Sequence, residues 1–76
     1  MLTLDKLSAG CKGVVVRLDL PEEARRRMAA FGLVPGCIFN LTRIAPLGGP
    51  MVLQVGTTRF LLRRSLARSV EVEGGA

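Results

Sequence analysis

The sequence predicts a mainly β protein, a small β-barrel of about five short strands with one α-helix. Three observations lead there. Nine glycines and four prolines punctuate 76 residues, so turns are frequent and the segments between them are short. Most of those segments alternate apolar and polar side chains, the period of a strand with one buried face. Helical spacing is convincing only between Pro21 and Phe31. An open sheet of this size would leave its edges unpaired, and a closed or nearly closed barrel removes them.

The elements follow in order. Thr3 to Leu7 fits a single helical turn with Thr3 as its N-cap. Gly10 and Gly13 bracket a turn around Cys11 and Lys12, and Val14 to Leu18 reads as the first strand, with Val14, Val16 and Leu18 on one side. Pro21 suits the first position of the helix, Glu22 and Glu23 complement the dipole in its first turn, and Gly32 is placed for a left-handed cap. Ala24, Met28 and Phe31 form its apolar stripe. Pro35 and Gly36 turn the chain into a second strand, Cys37 to Ile44, with Phe39 and Leu41 inward. Pro46 to Pro50 is a turn with proline at both ends, and Met51 to Val55 is the third strand. Gly56 and Thr57 lead into a fourth strand, Arg59 to Arg63, with Phe60 and Leu62 inward. Ser65 to Arg68 fits one 3₁₀ turn. Val70 and Val72 mark a last strand, and Glu73 to Ala76 is expected to fray. The expected core is Val14, Val16, Met28, Phe31, Phe39, Leu41, Leu53, Val55, Phe60, Leu62, Leu66 and Val70.

Composition narrows the function. A chain of 8.2 kDa with 49% apolar residues is a single globular domain, residues 1–76, with a small core. Eleven Lys plus Arg against six Asp plus Glu give a net charge of +5, which favours an acidic partner. There is no Tyr or Trp to stack on bases, and no His for a Ser-His or Cys-His pair. No phosphate-binding Gly-rich fingerprint is present, so no enzyme is expected. Asp5 and Lys6 interrupt any secretory signal and no apolar run reaches membrane-spanning length, so the cytoplasm is expected. Cys11 and Cys37 form no Cys-x-x-Cys pair, and read as small buried residues, with a disulfide or shared metal as the alternatives.

Two groups of arginines stand out. Arg25, Arg26 and Arg27 lie on the helix, where Glu22 and Glu23 precede Arg26 and Arg27 by one turn in the favourable order for ion pairs of about 0.3–0.5 kcal/mol each. A solvated helix face accounts for them. Arg59, Leu61 and Arg63 alternate onto the outer face of the fourth strand, with Val52 of the third strand beside them. Apolar residues flanked by arginines suit a docking patch, and an ordinary barrel exterior is the alternative. Arg43 and Arg64 lie near strand ends and join the partner-binding candidates.

Three segments carry a resemblance that covers nearly the whole chain. They are Gly32-Leu33-Val34-Pro35-Gly36, then Arg43-Ile44-Ala45-Pro46-Leu47-Gly48-Gly49-Pro50, then Leu62-Arg63-Arg64-Ser65-Leu66-Ala67. In order and spacing they resemble the ferrous iron transport protein A family (FeoA). The resemblance implies an SH3-like barrel and a non-enzymatic, cytoplasmic accessory role in bacterial Fe(II) uptake. It implies the membrane ferrous iron transporter as partner, through its cytoplasmic GTP-binding domain, which would hold the protein at the inner membrane. Activator, assembly factor and GTPase-activating roles stay open, as does a homo-oligomer. The family's association with transition metal ions such as Fe(II) finds no nameable ligand set in this sequence, and no cofactor is expected. The aromatic-lined groove of peptide-binding SH3 domains lacks its Tyr and Trp here. The competing function is a small basic nucleic-acid-binding barrel. The missing aromatic residues and the resemblance favour the interaction module, so no nucleic-acid partner is expected.

Overall fold

The structure is a computed structural model and describes residues 2–75. A 3₁₀ turn at Leu4–Lys6 precedes β1 (Lys12–Leu18), α1 (Glu22–Ala30), β2 (Ile38–Ile44), β3 (Met51–Val55), β4 (Thr58–Leu62), α2 (Arg64–Ala67) and β5 (Val70–Gly75). The strands form one antiparallel sheet in the order β4-β3-β2-β1-β5. Hairpins join β2, β3 and β4, whereas β1 pairs β5 across most of the chain. α2 connects the two ends of the sheet.

The core sits inside this curled sheet. Phe39, Leu41, Leu53, Leu62 and Val70 are buried as expected, and Phe39 is fully buried. β1 departs from the expected phase. Gly13 and Val15 point inward, and Val14 and Val16 are each 38% exposed. A bulge against β5 explains the change: Val15 pairs Val72, the next pair is Arg17 with Glu71, and Leu18 then returns to the core opposite Val70. Strict alternation counted back from Leu18 therefore selects the wrong valines. Gly13 faces the Phe39 ring, where a Cβ would lie 2.9 Å from Phe39 Cζ and 2.7 Å from the Glu73 carbonyl oxygen.

α1 ends in a Schellman turn. The Gly32 amide donates to Ala29 O at 2.9 Å, the Leu33 amide donates to Met28 O at 3.0 Å, and Gly32 has φ +90°. Leu33, fully buried, takes the core position that helical spacing assigned to Phe31. Phe31 is 43% exposed instead and stacks on Phe60, with ring centroids 5.0 Å apart. Pro21 is the N-cap rather than the first helical residue. The expected pairs Arg26–Glu22 and Arg27–Glu23 form at 3.3 and 3.4 Å. An alanine at Gly32 would adopt a left-handed backbone with its Cβ 3.3 Å from Val55 Cγ1. Gly32→Ala is expected to lose about 1–2 kcal/mol, read as a lower urea midpoint at unchanged slope.

The remaining corrections are local. Val55, Phe60 and Leu66 are half-buried at the core margin, and Leu4, Met51, Ala67 and Val72 complete the interior. The segment Glu73–Gly75, expected to fray, pairs with Val14, Gly13 and Lys12. Ala76 lies outside the described residues. The β2–β3 connection contains a tight turn in which Gly49 N donates to Pro46 O at 3.2 Å, with φ +59° at Leu47 and +72° at Gly48, as a type I′ turn requires. Leu47 is fully exposed at its tip.

Candidate functional site: the outer face of β2–β3–β4

The sheet register builds an apolar row flanked by arginines. Val52 pairs Arg43 on one side and Leu61 on the other, and Gln54 pairs Arg59. Leu61 is 68% exposed, Arg43 and Arg59 are exposed, and Val52 is half-buried. A second bulge places Arg43 here. The register shifts between Leu41 and Arg43, so Arg43 lies opposite outward Val52, and Ile44 lies opposite buried Met51. Unbroken alternation from Leu41 would have turned Arg43 toward the core. Thr42, Arg43, Val52 and Arg59 line a shallow depression of about 390 Å³. Arg59 Nη2 donates to Gln54 Oε1 at 3.3 Å, which holds that guanidinium along the sheet. Thr42 Oγ1 donates to Val52 O at 3.2 Å.

Arg63 and Arg64 do not share this surface in the way expected. β4 ends at Leu62, so Arg63 leaves the strand as the N-cap residue of α2 and lines a separate cleft with Gly48, Gly49 and Pro50. Arg64 is half-buried, and its Nη1 donates to Asp5 O at 3.3 Å. Arg64 is therefore the arginine engaged in holding structure, and Arg43 is not. The sequence carried no sign of the cleft, because its walls come from two turns distant in the chain.

Electrostatics reinforce the arrangement. Among the described residues the ion pairs are Arg17–Glu71, Arg26–Glu22 and Arg27–Glu23. Among those residues Arg43, Arg59, Arg63, Arg64 and Arg68 have no carboxylate partner, which leaves their charge available to an external anion. The three ion pairs that do form are largely solvent-exposed and contribute at most about 1 kcal/mol each.

Among the described residues no three His, Cys, Asp or Glu side chains come together. Cys11 and Cys37 are half-buried free thiols, not a disulfide. Their carbonyls accept from Leu41 and Val15 respectively, which sets them at separate points of the β1–β2 region.

Known proteins share this architecture. A FeoA domain model matches residues 2–74. The crystal structure of an iron uptake regulatory protein (FeoA) is 32% identical, with 96% of this chain and 94% of that chain covered and a TM-score of 0.84. The solution structure of FeoA from Chlorobium tepidum is 31% identical over 93% of this chain and 68% of that chain, with a TM-score of 0.87. FeoA of Stenotrophomonas maltophilia, crystallised with zinc and described as a procaryotic SH3 domain protein, is 35% identical over 96% and 91% of the two chains, with a TM-score of 0.78. Zinc belongs to that crystal; among the described residues of the present chain no cluster of three His, Cys, Asp or Glu is found. The family match over residues 2–74 and the similarity to these FeoA structures establish that this SH3-like chain belongs to the FeoA family, which is linked to ferrous iron transport.

Proposed function

We propose that this protein is a non-enzymatic, cytoplasmic accessory of bacterial ferrous iron uptake. It docks on the cytoplasmic GTP-binding domain of the membrane iron transporter through the outer face of β2–β3–β4. The observation that carries this reading is the row Arg43–Val52–Leu61 with Arg59 beside it, apolar at the centre and cationic at its margin. Such a surface suits an acidic protein face with an apolar spot, because arginine and large apolar side chains dominate interface energetics and opposite charge speeds encounter. FeoA membership links the chain to iron transport, and a relative is described as a candidate ferrous iron transport activating factor. No helix among the described residues is long and apolar enough to cross a membrane, so on this reading the transporter supplies the membrane attachment.

The test is co-precipitation of the full chain with the transporter's isolated cytoplasmic domain, with and without guanine nucleotide. A complex whose yield depends on nucleotide state is expected. Its absence in every nucleotide state overturns the reading. A gel shift on duplex and single-stranded DNA run alongside is expected to show no sequence preference. Nanomolar selectivity with a steep log-linear salt dependence would instead favour a nucleic-acid binder.

A further inference from the structure

A second cleft lies between the β2–β3 turn and α2. It has a volume of about 560 Å³ and is lined by Gly48, Gly49, Pro50, Arg63, Arg64, Ser65 and Arg68. Three features distinguish it from a surface dent. It gathers three arginines and no acid, and among the described residues none of the three is ion-paired. The Asp5 carboxylate accepts the Thr3 hydroxyl, and Arg64 donates to the Asp5 backbone carbonyl instead. Arg64 Nε is buried without an acceptor. Buried donors in native proteins are nearly always hydrogen-bonded, so this one stands out.

The opposite wall is shaped to let an anion approach the backbone. Gly48 has open space where a Cβ would be, and at Gly49 a Cβ would lie 2.8 Å from Ala45 Cβ. The amides of Leu47 and Gly48 make no turn hydrogen bond, whereas Gly49 closes the turn. Side-chain-free backbone beside convergent guanidinium groups is the chemistry that recognises phosphate oxygens.

We propose that this cleft binds a phosphate-class oxyanion, either a free polyphosphate or the phosphate of an anionic lipid headgroup. Arg63 and Arg68 supply charged donors, Ser65 supplies a hydroxyl, and the glycine turn supplies close backbone approach. The site is distinct from the β2–β3–β4 face, so it stands or falls independently of the docking reading.

The probes are inorganic pyrophosphate, followed by amide NMR at physiological salt, and sedimentation with phosphatidylglycerol vesicles against phosphatidylcholine vesicles. Arg68→Ala is the test variant, and Arg25→Ala on α1 is the charge-matched control. The expected result is saturable binding of at least one probe, weakened about tenfold by Arg68→Ala and little changed by Arg25→Ala. Pyrophosphate shifts confined to Gly48, Gly49 and residues 63–68 identify a free phosphate. Vesicle binding without pyrophosphate saturation identifies a lipid headgroup. Failure of both probes, or equal loss in the two variants, overturns the proposal.

Discussion

Phe39→Ala is expected to destabilise this protein by about 3–5 kcal/mol, the range for truncating a buried phenylalanine. Phe39 is fully buried and its ring sits against Gly13 of the neighbouring strand. Small domains rarely exceed total stabilities of about 5–15 kcal/mol, so the variant would lie near its unfolding midpoint at room temperature. Urea denaturation followed by far-ultraviolet circular dichroism checks this. A loss below about 1 kcal/mol would mean that the strand collapses into the cavity without consequence, contrary to close packing. Gly13→Ala approaches the same contact from the other side. A new methyl group would meet both the ring and the Glu73 carbonyl oxygen. Shrinking Phe39 relieves the first clash and not the second, because the carbonyl belongs to the β1–β5 ladder. Combining Gly13→Ala with Phe39→Leu is therefore expected to remain less stable than Phe39→Leu alone.

On the proposed docking, Arg43→Ala is expected to weaken binding to the transporter's GTP-binding domain by about 1–3 kcal/mol while leaving GTP hydrolysis at saturating protein unchanged. The competing possibility is a catalytic arginine supplied in trans, worth about 10³–10⁵-fold in rate. Such an arginine must project toward the transferring phosphate. Arg59 is held along the sheet by Gln54, and Arg64 by Asp5, so neither is free to project. Arg43 is exposed on the flat face opposite Val52, whereas Arg63 has left that face for the start of α2, so the Arg43 variant discriminates best. Loss of a large stimulation at saturation, with affinity intact, would assign Arg43 to catalysis and overturn the docking reading. Leu61→Ala provides the companion measurement. It removes apolar area from the centre of the patch and touches no phosphate chemistry, so it should reduce affinity alone.

The strands, the helix and most turns were legible because glycine, proline and alternation mark them directly. Phe39 and Leu41 were assigned to the correct face because polar Asn40 separates them. Val14, Val15 and Val16 offer no such contrast, and a bulge between Val15 and Arg17 resets the phase. Gly13, which points inward, adds nothing to an apolar pattern although its missing side chain makes room for Phe39. The same holds for the proposed docking face. Pairing of Val52 with Leu61 follows from a two-residue turn at Gly56 and Thr57, which sequence reveals. The outward placement of Arg43 depends on a second bulge, which sequence does not reveal. The departure of Arg63 from β4 is a one-residue difference in where the strand stops, yet it moves a guanidinium from one surface to another.

The pairing of β1 with β5 has a consequence for how the protein is made. The hairpins β2–β3 and β3–β4 join neighbours and can form as soon as their turns are synthesised. β1 is made first but finds β5 only after the intervening helix and three strands exist. Until then its inward face, Val15 and Leu18, lacks the cover of Val70 and Val72. Closing so long a loop is entropically slow, so folding should fall among the slower, nonlocal class for its size. On the ribosome the barrel stays incomplete until Val70–Gly75 has cleared the exit tunnel. A nascent chain arrested before that point should be protease-sensitive throughout, and one arrested well beyond it should be resistant.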